Sequence, residues 1–417
     1  MLIYLVFPFA FSGLFIGARF IKNKKLAHFL CALVPAVILF ILLGFKGSNV
    51  GVDSQTYINA YYDLKNIPKF PNPDFFISIR TYNFNDEYGF ILLAQLFSSI
   101  GIPYLVFQLL LYFIICFALF FSTWKLSKNA VASIIIFYCF TYFNFFVSGL
   151  RQAFAISLCL IALTIIITGG RTAWRTIFYF LLVGLAIFWH KSALIFVLPY
   201  FFLKIRIGNR GFVVLLFLSL FFYLLGAEMY EFINAYTSFI IGGSIGDYAP
   251  FSFGEGLTAI LMVGIIIFSY FLYSPSQIKN KGINFVNKHI SFFRNSKVAE
   301  EKDEEYIRNE NSFGSLSIAT KKEQQHDYFS LYLFLTFVGT WLMYTNSYSV
   351  AFGRIHMYFS IFMIFLLPTA VEKIKNLRMK NLVLILLFVA FTGYFIYTAV
   401  LTNYLGIAPY VFVRGTI

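Results

Sequence analysis

The chain has 417 residues, 60% of them hydrophobic and 12% charged, whereas soluble domains carry roughly a quarter charged residues. That balance argues against a water-soluble globular enzyme. The formal charge of +14, from 32 Lys and Arg against 18 Asp and Glu, reads first as a topology signal rather than a nucleic-acid surface, because membrane proteins concentrate basic residues on one face.

A spanning helix needs about 20 mostly apolar residues, and such segments recur along the chain. Spans are expected near 2–18, 27–44, 102–122, 130–147, 151–168, 174–189, 192–203, 211–226, 255–273, 329–345, 353–368 and 381–402. The predicted fold is all-α: a single polytopic membrane domain over 1–417 with about 12 transmembrane helices (range 11–14). The first apolar run is expected to be retained rather than cleaved, because Arg19, Lys22, Lys24 and Lys25 follow it and no basic residue precedes it. That order puts the first loop in the cytoplasm, and on this topology 24 basic residues lie inside and 8 outside. The count requires the short apolar stretch 88–100 to be a re-entrant or interfacial helix on the outer side.

Three polar regions interrupt the spans. The outer loop 45–87 is rich in Asp, Asn, Pro and Tyr. The outer loop 227–254 has no Lys or Arg, and its Gly242-Gly243 and Gly246-Asp247 stretches suit a lid. The cytoplasmic loop 274–328, with Glu300-Glu301-Lys302-Asp303-Glu304-Glu305, reads as a flexible linker whose basic half can meet membrane lipids. The four cysteines lie inside apolar runs and read as small buried hydrophobes.

In so apolar a chain the costly residues carry the information. Asp53, in Gly51-Val52-Asp53, is a candidate acid–base group or the cap of a short surface helix over 54–65, with Tyr57 one turn on. Glu87 opens the 88–100 stretch beside Tyr88, where burial would suit it to proton transfer. Arg151, next to Gln152, stands at an outer helix mouth after Gly149, and Arg354 repeats the arrangement after Gly353. Two such arginines suit a phosphate or diphosphate, since guanidinium offers phosphate oxygens a planar pair of donors. Snorkelling to the headgroups, or a salt bridge to Glu87 or Asp53, is the plainer reading. His190, after Trp189, is the outer histidine placed to act as a base or phosphate donor; His356 is also outside. There is no P-loop, no dinucleotide-binding glycine motif and no metal-ligand cluster, which disfavours a soluble nucleotide substrate.

Gly51-x-Asp53-x-x-x-Tyr57, Glu87-Tyr88-Gly89-Phe90, Arg151-Gln152, His190-x-Ser192 and Arg354, in that order along an aromatic-rich chain, resemble the EpsG family, related in role to the Wzy-type polymerases of O-antigen and capsular polysaccharide. The resemblance implies a bacterial cytoplasmic-membrane glycosyltransferase with its site facing the periplasm or exterior. It would move a growing glycan from undecaprenyl diphosphate onto an incoming lipid-linked repeat unit. It implies that Arg151 and Arg354, with Gln152, Tyr57 and Tyr88, hold the diphosphate and sugars, and that Glu87, Asp53 or His190 accepts the hydroxyl proton. No cofactor is implied, although the carboxylates leave Mg²⁺ an option. Partners would be the undecaprenyl-diphosphate-linked oligosaccharide, membrane lipids and a chain-length regulator, with no nucleic acid. A lipid-linked oligosaccharide flippase, an O-antigen ligase and a non-catalytic scaffold are the alternatives; a flippase should carry polar groups through the midplane.

Overall fold

The computed structural model describes residues 2–72, 74, 75, 78, 87–225, 231, 258–273, 328–344 and 355–412. The expected lid 227–254, all but its residue 231, the expected linker 274–328, all but its last residue, and Arg354 lie outside the described residues. Among the described residues the chain is helical, with one isolated β-bridge between Lys46 and Phe412 and no named strand.

The helices are α1 (Leu2–Ala18), α2 (Lys24–Gly44), α3 (Ser54–Asp63), α4 (Tyr88–Ser99), α5 (Tyr104–Leu126), α6 (Ala130–Cys139), α7 (Thr141–Ser148), α8 (Leu150–Gly169) and α9 (Ala173–Trp189). They continue as α10 (Asn209–Leu224), α11 (Thr258–Tyr273), α12 (Phe329–Tyr344), α13 (Met357–Ser360), α14 (Met363–Val371) and α15 (Leu377–Phe395). Four helices begin behind a capping side chain: Asn23, Asn129, Thr172 and Asn376 each accept from backbone N–H groups of the first turn. Such caps satisfy donors that would otherwise go unmatched at a helix start.

The helix α8 forms the centre. Its apolar window is 83% buried, against 33% for the segment Leu377–Leu401, and it packs on α5 and α9 while α2 packs on α5. Ser122 on α5 and Thr164 on α8 hydrogen bond at 2.9 Å across that contact. Such hydroxyls bond in an apolar interior without leaving unmet donors, because Ser157, Thr164 and Thr168 also donate to carbonyls one turn earlier. All four cysteines are buried and free.

The architecture fits a membrane protein, and the described residues do not confirm the count of twelve spans. Among the described residues four helices are long and apolar enough to cross alone, and a fifth crossing arises if α6 and α7 act together. The expected span 130–147 is this pair, bent by 65° where Phe140 takes an extended backbone. The expected span 192–203 is instead a ten-residue 3₁₀ segment, Lys191–Tyr200. At about 2 Å per residue that segment covers about 20 Å, short of an apolar core of about 30 Å. Among the described residues eight further apolar stretches, Lys191–Tyr200 included, have only 10–17 residues. Among them, α4 has twelve residues and a length of about 18 Å.

The helices α2 and α5, of 21 and 23 residues, separate two ends of the bundle by about 30 Å. At one end lie the turns 19–23, 127–129 and 372–376. At the other, loop 45–53, the start of α4 and the break between α7 and α8 come together, and these carry the candidate site.

Candidate functional site

The site begins with a backbone contact. Gly51 has φ +92°, and a Cβ there would meet the Val147 carbonyl oxygen at 3.0 Å and Ser148 Cα at 3.1 Å. Only glycine fits both this conformation and this approach. The loop therefore lies on the end of α7, where the Asp53 N–H donates to Ser148 Oγ at 3.4 Å. Tyr112 on α5 reaches the same break, its hydroxyl donating to the Phe146 and Val147 carbonyls at 3.1 and 3.3 Å. Gly149 then turns the chain into α8, so that Arg151 stands in the first helical turn and meets Glu87 at the start of α4.

Glu87 caps α4 by position and is 7% exposed. Its Oε2 lies 2.5 Å from Arg151 Nη1, and its Oε1 lies 3.3 Å from His190 Nε2. Three separate elements thus bring one carboxylate, one guanidinium and one imidazole together. The Arg151 guanidinium also sits 5.6 Å from the Tyr57 ring centre and 5.9 Å from that of Phe90, within cation–π range. His190 ends α9, and its Nδ1 accepts the backbone N–H of Ser192 at 3.4 Å. A backbone amide can only donate, so the ring proton belongs on Nε2, facing Glu87. Ser192 Oγ is 2.5 Å from the same Nδ1 and 3.2 Å from the Tyr358 hydroxyl, which ties α13 to the histidine.

Aromatic packing fixes these positions. A Cβ on Gly89 would fall 2.6 Å from the Trp189 ring, so α4 and α9 approach at a residue without a side chain. Trp189 in turn meets Phe154 of α8 with ring centres 4.0 Å apart. Gln95, two turns along α4 from Glu87, donates to the carbonyls of Leu64, Ile67 and Pro68 and holds that loop on the helix.

Of the residues singled out from sequence, Glu87, Arg151, His190 and Tyr57 come together. Asp53 sits beside them at the start of α3, where its side chain makes no capping bond, so the capping reading of Asp53 does not hold. Its carboxylate and the Arg151 guanidinium both act on the Tyr57 phenol: burial pushes that phenol up, and Arg151 pulls it back. Tyr88 stacks on Phe188, with ring centres 6.4 Å apart and planes 26° apart. Gln152 is buried on α8 next to Arg151. The salt bridge to Glu87, the plainer of the readings of Arg151, is present. His356 is buried at the start of α13, 3.3 Å from Ser360 Oγ. Among the described residues no three His, Cys, Asp or Glu side chains group as a metal site.

Sequence reasoning passed over Lys46. It is 4% exposed, donates to the Val50 carbonyl at 3.0 Å and to Ser54 Oγ, and lies 6.0 Å from the Tyr112 ring centre. Burial pushes its ammonium down from 10.5 to about 7, against the opposing pull of Asp53. Between about 7 and 10.5 the unfolded chain binds more protons here than the folded one, so this group adds stability as pH rises through that window. Thermal unfolding of wild type and Lys46→Met in the same detergent should show the wild type gaining on the variant from pH 7 to pH 9. Parallel curves would mean that Lys46 is solvated in the fold.

The EpsG family model matches residues 29–412, nearly the whole chain. The chain belongs to the EpsG family. EpsG is a family of Wzy-like polymerases, and membership links this protein to polysaccharide biosynthesis. No curated protein and no solved structure matches the chain. The EpsG match spans every element that contributes to the Glu87 cluster, from loop 45–53 to α13.

Proposed function

We propose that this EpsG-family protein is a polysaccharide polymerase that transfers a growing glycan from undecaprenyl diphosphate to an incoming lipid-linked repeat unit. The observation that carries the reading is the position of Glu87, buried between Arg151 and His190 at the junction of three elements. Glu87 accepts the proton of the acceptor hydroxyl as its oxygen bonds to the donor anomeric carbon. The bond from that carbon to the diphosphate oxygen breaks, and the lipid diphosphate leaves with the electron pair. Arg151 couples the two events. A protonated Glu87 holds the guanidinium less strongly, which releases it toward the charge developing on the leaving diphosphate. His190, with its proton toward Glu87, orients the carboxylate.

Asp53 and Tyr57 line the same end and are assigned to the acceptor sugar, with Tyr88 beside them and Gln152 buried behind Arg151. Arg354 is assigned the second diphosphate contact on its sequence setting alone. The basic turns face the cytoplasm in this reading, and the Glu87 cluster faces the outside of a bacterial cytoplasmic membrane, in keeping with the positive-inside bias. The energy of the glycosyl diphosphate bond drives the reaction, and no nucleotide is consumed.

Purified protein reconstituted with lipid-linked repeat units distinguishes this from the flippase and ligase readings. The expected product is a ladder of longer glycans on the lipid carrier. Translocation of single units without growth would favour a flippase, and transfer only to a lipid A core acceptor would favour a ligase.

A further inference from the structure

A second feature lies at the opposite end of the bundle from Glu87. Between α1, α6, α14 and α15 runs a groove of about 340 Å³ with a predominantly apolar lining that includes Phe15, Ile135, Leu367, Leu384 and Phe388. It follows α15 from Asn381 to Phe391, a distance of about 15 Å. Its few polar lining residues are not scattered: Arg19, Asn129 and Asn381 all stand where the helices end, and only Ser12 lies deeper.

The mouth has a fixed cation. Arg19 Nη2 donates to Asn381 Oδ1 at 3.1 Å, and its guanidinium lies 4.9 Å from the Phe15 ring centre. Around it, the segments 19–25, 125–129 and 372–381 carry ten Lys and Arg against one acid, Glu372. That acid is already paired with Lys380 at 2.5 Å. An apolar slot parallel to the helices, closed at one end by a held guanidinium and surrounded by positive charge, is complementary to one chain of an amphiphile with an anionic head.

We propose that this groove binds one anionic glycerophospholipid, with an acyl chain along Phe15, Ile135 and Phe388 and its phosphate at Arg19. The charge at the mouth selects the head, and the length and lining of the slot take the tail. The lipid bridges α1 to α15 at the end of the bundle away from Glu87.

Native mass spectrometry of the full-length protein, titrated with phosphatidylglycerol or phosphatidylcholine of equal chain length, tests the assignment. The wild type is expected to retain one phosphatidylglycerol, with about ten-fold preference over phosphatidylcholine. Ala132→Phe and Ser12→Phe, which fill the slot from different helices, should remove the retained lipid. Arg19→Gln leaves the slot open and should bring the two lipids close to parity. Thermal unfolding of each variant identifies any that does not fold, and the remaining variants then decide. Equal retention of both lipids by the wild type would overturn the proposal, as would unchanged preference in the folded variants. Displacement of phosphatidylglycerol by a polyprenyl phosphate at matched concentration would overturn the choice of lipid.

Discussion

Glu87→Gln is expected to leave the protein folded and inserted while lowering chain growth by about 10²–10⁴-fold, the usual contribution of a positioned proton acceptor. The substitution keeps the size of the side chain and an oxygen that can face Arg151, 2.5 Å away in the wild type. It removes the basicity and the charge. Growth of lipid-linked glycan in a reconstituted assay measures the first effect, and melting in detergent checks the second. A variant that extends chains at the wild-type rate would remove Glu87 from the chemistry and leave it as a structural partner of Arg151. The same assay on Asp53→Asn, whose carboxylate makes no capping bond, ranks the two carboxylates.

Arg151→Ala should lose both stability and activity, for separable reasons. Removing one partner of a buried ion pair leaves the other charge uncompensated and typically costs about 3–5 kcal/mol. Glu87 is that remaining charge, at 7% exposure. Loss of a donor that stabilises a leaving group costs about 10²–10³-fold in rate. The double variant Arg151→Ala with Glu87→Gln separates the effects, because the neutral glutamine no longer needs a cation. Its melting temperature should recover most of the way toward wild type, while polymer length stays at single repeat units. Because Glu87→Gln alone is expected to stop growth, the activity of Arg151 is read in the single variant, and recovery of polymer in the double variant would contradict the roles of Glu87 and Arg151 together. Failure to recover stability would show that Arg151 acts through its packing on Tyr57 and Phe90.

The residues of the cluster were legible in the sequence because charge is rare in this chain, and a rare charge near a helix end must be accommodated by a partner or a ligand. Arg151, Glu87 and His190 were each found in that way. Their mutual contact was not readable, since it depends on how α4, α8 and α9 converge. The bend after Cys139 was hidden for another reason: 130–147 contains neither Gly nor Pro, so no local breaker marks it. Tertiary contacts hold it instead, with the Tyr142 hydroxyl donating to the Ser360 carbonyl at 2.6 Å just beyond the break. Lys46 escaped notice because a lysine before Gly47-Ser48 reads as an ordinary loop charge. What buries it comes from far along the chain, where Gly47 N–H donates to the Val411 carbonyl at 2.7 Å.

That last contact bears on how the protein is made. Loop 45–53 is bound by segment 403–412 at several points: Gly51 and Val52 donate to the carbonyls of Gly406 and Leu405, and Lys46 bridges to Phe412. The Tyr4 hydroxyl reaches the Ile407 carbonyl at 2.6 Å, so the first helix waits for the same segment. During synthesis, Asp53 and Tyr57 emerge on the order of tens of seconds before residues 403–412 are translated. Until then the loop has nothing to dock against, and the Glu87 cluster lacks one wall. A chain that stops short of this segment therefore has loop 45–53 undocked, although the helices before it are in place. The Glu87 end of the bundle is thus completed only after residues 403–412 have been added.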